Sequence, residues 1–181
     1  MTCIVAIATP EGRVHMGADS AGVSGYSMAI RRDEKLFVKS GMVFGCTSSF
    51  RMIQLLRFHL IVHKRHPELD LYEYMCTTFV GAVRECFRQG GYLSKQNEVE
   101  GGGHFLVGVD GRIFSIESDY QVGERNDYMD AAGCGADLAL GSLHQSRGDD
   151  DVRRRLTDAL STAERFSAGV RGPFVFKETA P

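Results

Sequence analysis

No apolar run in this chain reaches the length of a membrane-spanning helix, and its start has neither a basic segment nor a small-residue cleavage pattern. The apolar stretch from Cys3 to Ala8 therefore reads as a strand rather than a signal peptide, and a cytoplasmic protein that engages no membrane is expected. An excess of either charge is also missing. The 21 Lys+Arg and 23 Asp+Glu leave a net charge of -2, which offers no footing for nucleic acid or an anionic surface. The five cysteines (Cys3, Cys46, Cys76, Cys86, Cys134) lack the even count and spacing of a disulfide framework and contain no C-x-x-C pair, so free thiols in a reducing compartment are expected. His59 and His63 stand four apart in an expected helix, but no Glu follows His59 as in a zincin and no third ligand is evident, so they read as a solvated face. Gly101-Gly102-Gly103 and the Gly133/Gly135 pair lack the context of a phosphate loop and read as turns. Arg153-Arg154-Arg155 reads as a solvated or subunit-facing patch. No metal and no cofactor are expected, and no repeat, linker or low-complexity segment divides the chain.

What is present suits one domain over residues 1–181, with 43% hydrophobic residues and room for a sizeable core. Residues 2–8 and 13–19 read as strands joined by a turn at Pro10-Glu11-Gly12, with a polar loop from Ser20 to Gly25. Lys35 to Val38 and Met42 to Cys46 read as a second pair turned at Ser40-Gly41. Helical spacing of apolar residues then runs from Ser49 to Lys64, and a second helix from about Leu71 to Arg88 stops at Gly90-Gly91. Lys95 to Gly103 reads as a loop. Asp110-Gly111 turns a hairpin between Phe105–Val109 and Arg112–Glu117. A strand at 128–132, helices at 136–145 and 149–166, and a strand at 173–177 complete the order. Strands and helices come in blocks, which argues against an alternating parallel sheet and for two packed sheets with helices outside.

The chemistry centres on the start of the chain. Methionine before a small residue is commonly trimmed, which would leave Thr2 with a free α-amine and a hydroxyl on one residue, so that it serves as nucleophile and general base together. Asp19 ends the second strand and Lys35 begins the third, sixteen residues on. A lysine charge lowers the pKa of a neighbouring amine or hydroxyl, and an aspartate holds that lysine charged and oriented.

The start Thr2-Cys3-Ile4-Val5, the stretch Met16-Gly17-Ala18-Asp19-Ser20, and Lys35 after Arg31-Arg32 resemble the β-type proteasome family, including the HslV-like proteases, among the N-terminal nucleophile (Ntn) hydrolases. The resemblance implies an α+β fold, a four-layer αββα sandwich of two mainly antiparallel sheets. It implies Thr2 as nucleophile, Asp19 as partner of the lysine and Lys35 as the supporting cation, with Arg32 as the rival for that place under a shifted alignment. The turn Gly45-Cys46-Thr47-Ser48-Ser49 falls where the family supplies an oxyanion-hole amide, from Thr47 or Ser48. Where the family has a serine in a Ser-Gly-Gly-like turn, this chain has Cys134. Where it has an Asp and then a Ser, this chain has Glu164 and Ser167. The implied activity is a threonine-type endopeptidase acting on peptides or unfolded protein, as a ring-forming homo-oligomer with an ATP-dependent unfoldase as a possible partner. Two other readings stay open: an inactive assembly protein on the same fold, and an Ntn amidase acting on a small amide, with Cys3 as its exposed nucleophile after further trimming.

Overall fold

β-Branched and aromatic runs build two antiparallel sheets, and a computed structural model describes residues 1–96 and 99–179 of them and their helices. The first sheet has four strands in the order β12-β1-β2-β13, formed by β1 (Ile4–Ala8), β2 (Val14–Ala18), β12 (Met129–Ala132) and β13 (Val175–Glu178). The second has five strands in the order β11-β10-β9-β6-β5, formed by β5 (Leu36–Lys39), β6 (Met42–Cys46), β9 (Phe105–Val109), β10 (Arg112–Ile116) and β11 (Val122–Glu124). Two tight turns set the register of the second sheet. Ser40 and Gly41 pair β5 with β6 from φ of 52° and 79°, and Asp110 and Gly111 pair β9 with β10 from 48° and 70°. Positive φ at both central residues matches the twist of the strands they join.

Strand alternation sorts side chains into three apolar layers. Ile4, Ala6, Val14, Met16, Leu36, Val43, Leu106 and Ile113 fill the space between the sheets. Cys3, Val5 and Ile7 face the other way and pack under α4 (Ala136–Gln145) and α5 (Val152–Phe166). Phe37, Phe44, Phe105 and Phe114 pack beneath the helices of the opposite side. Those are α1 (Phe50–Phe58) and a rod of α2 (Leu71–Tyr74), a π-helical turn (Met75–Phe79) and α3 (Val80–Gln89). The result is the helix–sheet–sheet–helix sandwich expected from the block order of the elements.

The structure corrects several expected elements. Ser20 to Gly25 is not a loop: Ala21–Ser24 (β3) pairs with Ser27–Ile30 (β4) in a hairpin. All four β4 residues are exposed, so no buried face marked it in the sequence. In the expected Lys95–Gly103 loop, whose residues 97 and 98 lie outside the described ones, β7 (Ser94–Gln96) pairs antiparallel with β8 (Val99–Gly101), and β11 is also additional. Helix α1 stops at Phe58 rather than Lys64. Lys39 Nζ donates to the Leu56 and Arg57 carbonyls there, and cations on the last carbonyls of a helix stabilise its end. Leu60 remains buried although it is no longer helical, which is why the apolar period misled. His59 and His63 consequently share no helix, and no cluster of three metal-ligating side chains occurs among the described residues. Among the described residues no helix is long and apolar enough to cross a membrane.

Candidate active site

Antiparallel pairing of β1 with β2 sets Ile4 opposite Ala18, so the residue before β1 lies against the residue after β2. Asp19 and Cys3 meet there. Asp19 N–H donates to Cys3 O at 3.2 Å, and Cys3 N–H donates back to Asp19 Oδ1 at 2.9 Å. Lys35, one residue ahead of β5, reaches across from the other sheet, and its Nζ lies 2.8 Å from Asp19 Oδ1. Both residues are buried, at 1% and 2% exposure. Arg32, the alternative for this place, is exposed and forms no ion pair with Asp19. Asp19 Oδ2 accepts from the amides of Ala21 at 3.0 Å and Arg171 at 3.3 Å. Four donors thus hold this carboxylate, and three of them are main-chain amides with no signature in the sequence. Burial holds the Lys35 ammonium below the usual lysine range, partly opposed by the charge and hydrogen bond of Asp19.

Thr2 sits at the same end of the sandwich. Its amide donates to Cys134 Sγ at 3.3 Å, and its hydroxyl donates to Met1 O at 2.5 Å. Lys35 Nζ donates to the same Met1 oxygen at 3.4 Å. The lysine and the threonine hydroxyl therefore converge on one point, held by the carbonyl that precedes Thr2. Cys134 Sγ lies 3.5 Å from Ser167 Oγ, at the C-terminal cap of α5. Thr2, Asp19, Lys35, Cys134 and Ser167 are thereby brought together.

Glu164 is not brought to Thr2. Its Oε1 accepts from Gly172 N at 3.0 Å and faces Arg171 Nε at 3.8 Å. Glu164 braces the segment whose Arg171 amide holds Asp19, a supporting position rather than one at the reacting atoms.

Gly133, between β12 and α4, has φ +98°, and a Cβ there would lie 2.2 Å from Thr2 O. Glycine is required on both counts. Gly133→Ala is expected to destabilise the fold by about 2–4 kcal/mol, because the strained φ and the backbone clash add. A denaturant titration checks this; an unchanged midpoint would contradict it.

The Thr47–Ser48 turn closes the other side of the site. Thr47 N–H donates to His104 O at 3.2 Å and is already engaged. The Ser48 amide makes no hydrogen bond among the described residues, and Ser48 has φ +55°. Of the two amides considered from the sequence, Ser48 is the one left able to donate to a ligand. Thr2, Lys35, Ser48, Val23, Cys46, Phe50 and Ile53 border one cavity of about 70 Å³.

Cys3 belongs to a different environment. Alternation along β1 turns it away from this cavity and under α5. Burial, with Asp19 and Cys134 adding to it, pushes its thiol up to about 12. A thiol in that state supplies little nucleophilic thiolate.

Two antiparallel sheets between helix layers, with the first residues of β1 beside a buried Asp–Lys pair, define the proteasome-like Ntn-hydrolase fold. Solved structures agree. BPH from Thiobacillus denitrificans superposes with a TM-score of 0.75 at 19% identity, over 98% of this chain and 99% of that one. The same BPH in complex with epoxomicin gives 0.75 at 17%, over 98% and 100%. HslV from Trypanosoma brucei gives 0.68 at 14%, over 98% of each chain. The Anbu (Gly-1) mutant from Hyphomicrobium sp. strain MC1 gives 0.68 at 18%, over 97% of this chain and 80% of that one. No protein-family model matches the chain, and no curated protein matches it.

Proposed function

We propose that this chain is a threonine-type Ntn peptidase whose nucleophile is Thr2, freed when Met1 is removed. The observation that carries this reading is the buried Lys35–Asp19 pair at 2.8 Å, with Lys35 and Thr2 bordering the same cavity. The free Thr2 amine takes the hydroxyl proton as Oγ bonds to the substrate carbonyl carbon. The Lys35 charge favours the developing alkoxide, and Asp19 keeps that charge in place. The Ser48 amide donates to the oxyanion. As the intermediate collapses, the ammonium of Thr2 returns its proton to the leaving amine and the C–N bond breaks. Water, deprotonated by the same amine, then hydrolyses the ester. Cys134 and Ser167 hold the amine in orientation, and Glu164 supports the Asp19 cradle from behind.

The chain is expected to act as one β-subunit-like domain within a homo-oligomer, a ring as the family resemblance of its sequence implies, in the cytoplasm and with an ATP-dependent unfoldase as a candidate partner. An oligomer that encloses Thr2 confines cleavage to peptides and unfolded chains. With Met1 attached the cavity beside Thr2 is small, and its lining divides between polar side chains (Thr2, Lys35, Thr47, Ser48, Ser49) and apolar ones (Val23, Phe50, Ile53). A panel of fluorogenic peptides, with epoxomicin as inhibitor, tests the activity. Absence of cleavage across the panel by protein whose first residue is Thr2 would overturn the reading.

The alternative is an inactive assembly protein, which the placement of Glu164 on the Gly172 amide and away from Thr2 favours. With Met1 present, the Thr2 nitrogen is an amide and the Met1 carbonyl occupies the point where Lys35 and the hydroxyl meet. Removal of Met1 is the step that separates the two readings.

A further inference from the structure

His104 lies outside the residues the proposed chemistry uses, yet its main chain makes three hydrogen bonds to the Thr47–Ser48 turn. Its carbonyl accepts from Thr47 N–H at 3.2 Å and from Thr47 Oγ1 at 2.7 Å. Its amide donates to Ser48 Oγ at 3.0 Å. On the other side of the turn, Ser49 N–H donates to Thr47 O at 2.7 Å, and Ser49 Oγ caps α1 by accepting from Arg51 N–H at 3.1 Å. Ser48 is thus pinned between the His104 backbone and a helix start, at the φ of +55° that leaves its own amide without an internal partner. A non-glycine residue in that region costs of order 1–3 kcal/mol and persists only where its surroundings over-determine it. Here the surroundings are His104 and the Ser49 cap.

The His104 backbone is itself anchored by its ring. Pairing of β9 with β10 sets Ser115 opposite Leu106, two residues from His104 on the same strand face. His104 Nε2 lies 2.9 Å from Ser115 Oγ, which donates to Glu117 Oε1 at 2.7 Å. The same Nε2 stands 3.5 Å from Glu117 Oε1. Glu117 contacts Nε2 and Ser115, so the trio lacks the arrangement in which an acid orients a histidine through its other nitrogen toward a serine nucleophile. It is built as a clamp.

We infer that His104 is a positioning residue: the hydrogen bond from its ring to Ser115 fixes the loop ahead of β9, and that loop fixes the Ser48 amide toward the oxyanion of the reaction. The inference rests on the reading of Ser48 as oxyanion donor. It requires that loosening the ring loosens the turn, which hydrogen exchange reads without any activity.

The test uses the full chain with His104→Leu, His104→Gln and Ser115→Ala. His104→Leu is expected to speed exchange of the Thr47 and Ser49 amides by roughly 10-fold or more, since the cost of local opening falls. It is also expected to lower kcat roughly 10-fold with KM nearly unchanged, because the lost contact matters in the transition state. His104→Gln keeps a side-chain amide that can reach Ser115 and should recover most of both effects. Ser115→Ala, which leaves His104 in place, should reproduce part of them, and keeps the test decisive if His104→Leu fails to fold. Exchange and kcat both unchanged in the variants would overturn the inference. Faster exchange in the variants, with a wild-type protein that cleaves nothing, would support the clamp while sinking the peptidase reading. Unchanged exchange with a lowered kcat would also overturn it, since the effect would then not run through the turn.

Discussion

Thr2→Ala is expected to abolish peptide cleavage, a loss of roughly 10³-fold or more, while leaving the fold and assembly intact. The size of the effect follows from the role, since without Oγ no ester forms and the remaining groups only bind. The tolerance of the fold follows from the geometry. The hydroxyl's one hydrogen bond is to the adjacent Met1 carbonyl, and the amide that meets Cys134 belongs to the main chain and survives the substitution. Thr2→Ser keeps the hydroxyl and amine and should retain measurable activity. Steady-state assays with circular dichroism as the folding control check both variants. Thr2→Ala protein cleaving at the wild-type rate would contradict the account, and a wild type as inactive as the variant would favour the assembly protein.

Lys35 is expected to give the second large effect, on activity and stability together. Lys35→Met should remove most activity, by roughly 10²-fold or more, because the alkoxide and oxyanion lose a nearby positive charge in a site shielded from water. It also leaves the Asp19 carboxylate buried without its cation, which costs about 3–5 kcal/mol. Adding Asp19→Asn to Lys35→Met removes the stranded charge but turns a side-chain NH2 toward amides that donated to the carboxylate, so the double variant should recover only part of the lost stability and stay equally inactive. Lys35→Arg keeps the charge but brings a planar fork into a place built for a compact ammonium, and should not rescue activity. Wild type, Lys35→Met, Asp19→Asn and the double variant form the cycle, read by chemical denaturation and peptide assays. Additive stability losses from the two single substitutions would contradict a coupled pair.

The same lysine sets a pH dependence. Its folded pKa lies below its unfolded value, with burial as the main cause. In the window between the two, the unfolded chain holds the proton more tightly, so this residue makes stability rise with pH there, and Lys35→Met should erase that rise. Activity should fall on the alkaline side before an ordinary lysine would titrate. On the acid side it should fall as the Thr2 amine is protonated, giving a bell-shaped kcat/KM profile.

The meeting of Thr2, Asp19 and Lys35 at one end of the sandwich was legible because each sits next to a strand end, where a two-residue period and a short turn leave few options. Lys35 over Arg32 was legible only as an unbroken spacing from Asp19, and the 2.8 Å contact now accounts for that spacing. Three of the four donors to Asp19 were not legible, since the Cys3, Ala21 and Arg171 amides carry no side-chain signal and Arg171 arrives from 152 residues away. Glu164 shows the converse case. Its spacing from Ser167 matched the expected pattern, but its carboxylate accepts from the Gly172 amide. The β3–β4 hairpin was hidden because it buries no continuous face. The end of α1 was hidden because Leu60 keeps the helical period after the helix has stopped. His104 was invisible for a related reason: its importance lies in a main-chain carbonyl and amide opposite Thr47, a position only the pairing of β6 with β9 creates.

The central claim is that a free amine and a hydroxyl on Thr2 together make the site. The most direct measurement is the N-terminal sequence and intact mass of the active protein, set beside its rate of peptide cleavage. Activity should track the fraction of molecules beginning at Thr2, and protein that retains Met1 should be inactive until an aminopeptidase removes it. Full cleavage by Met1-bearing protein would contradict the claim.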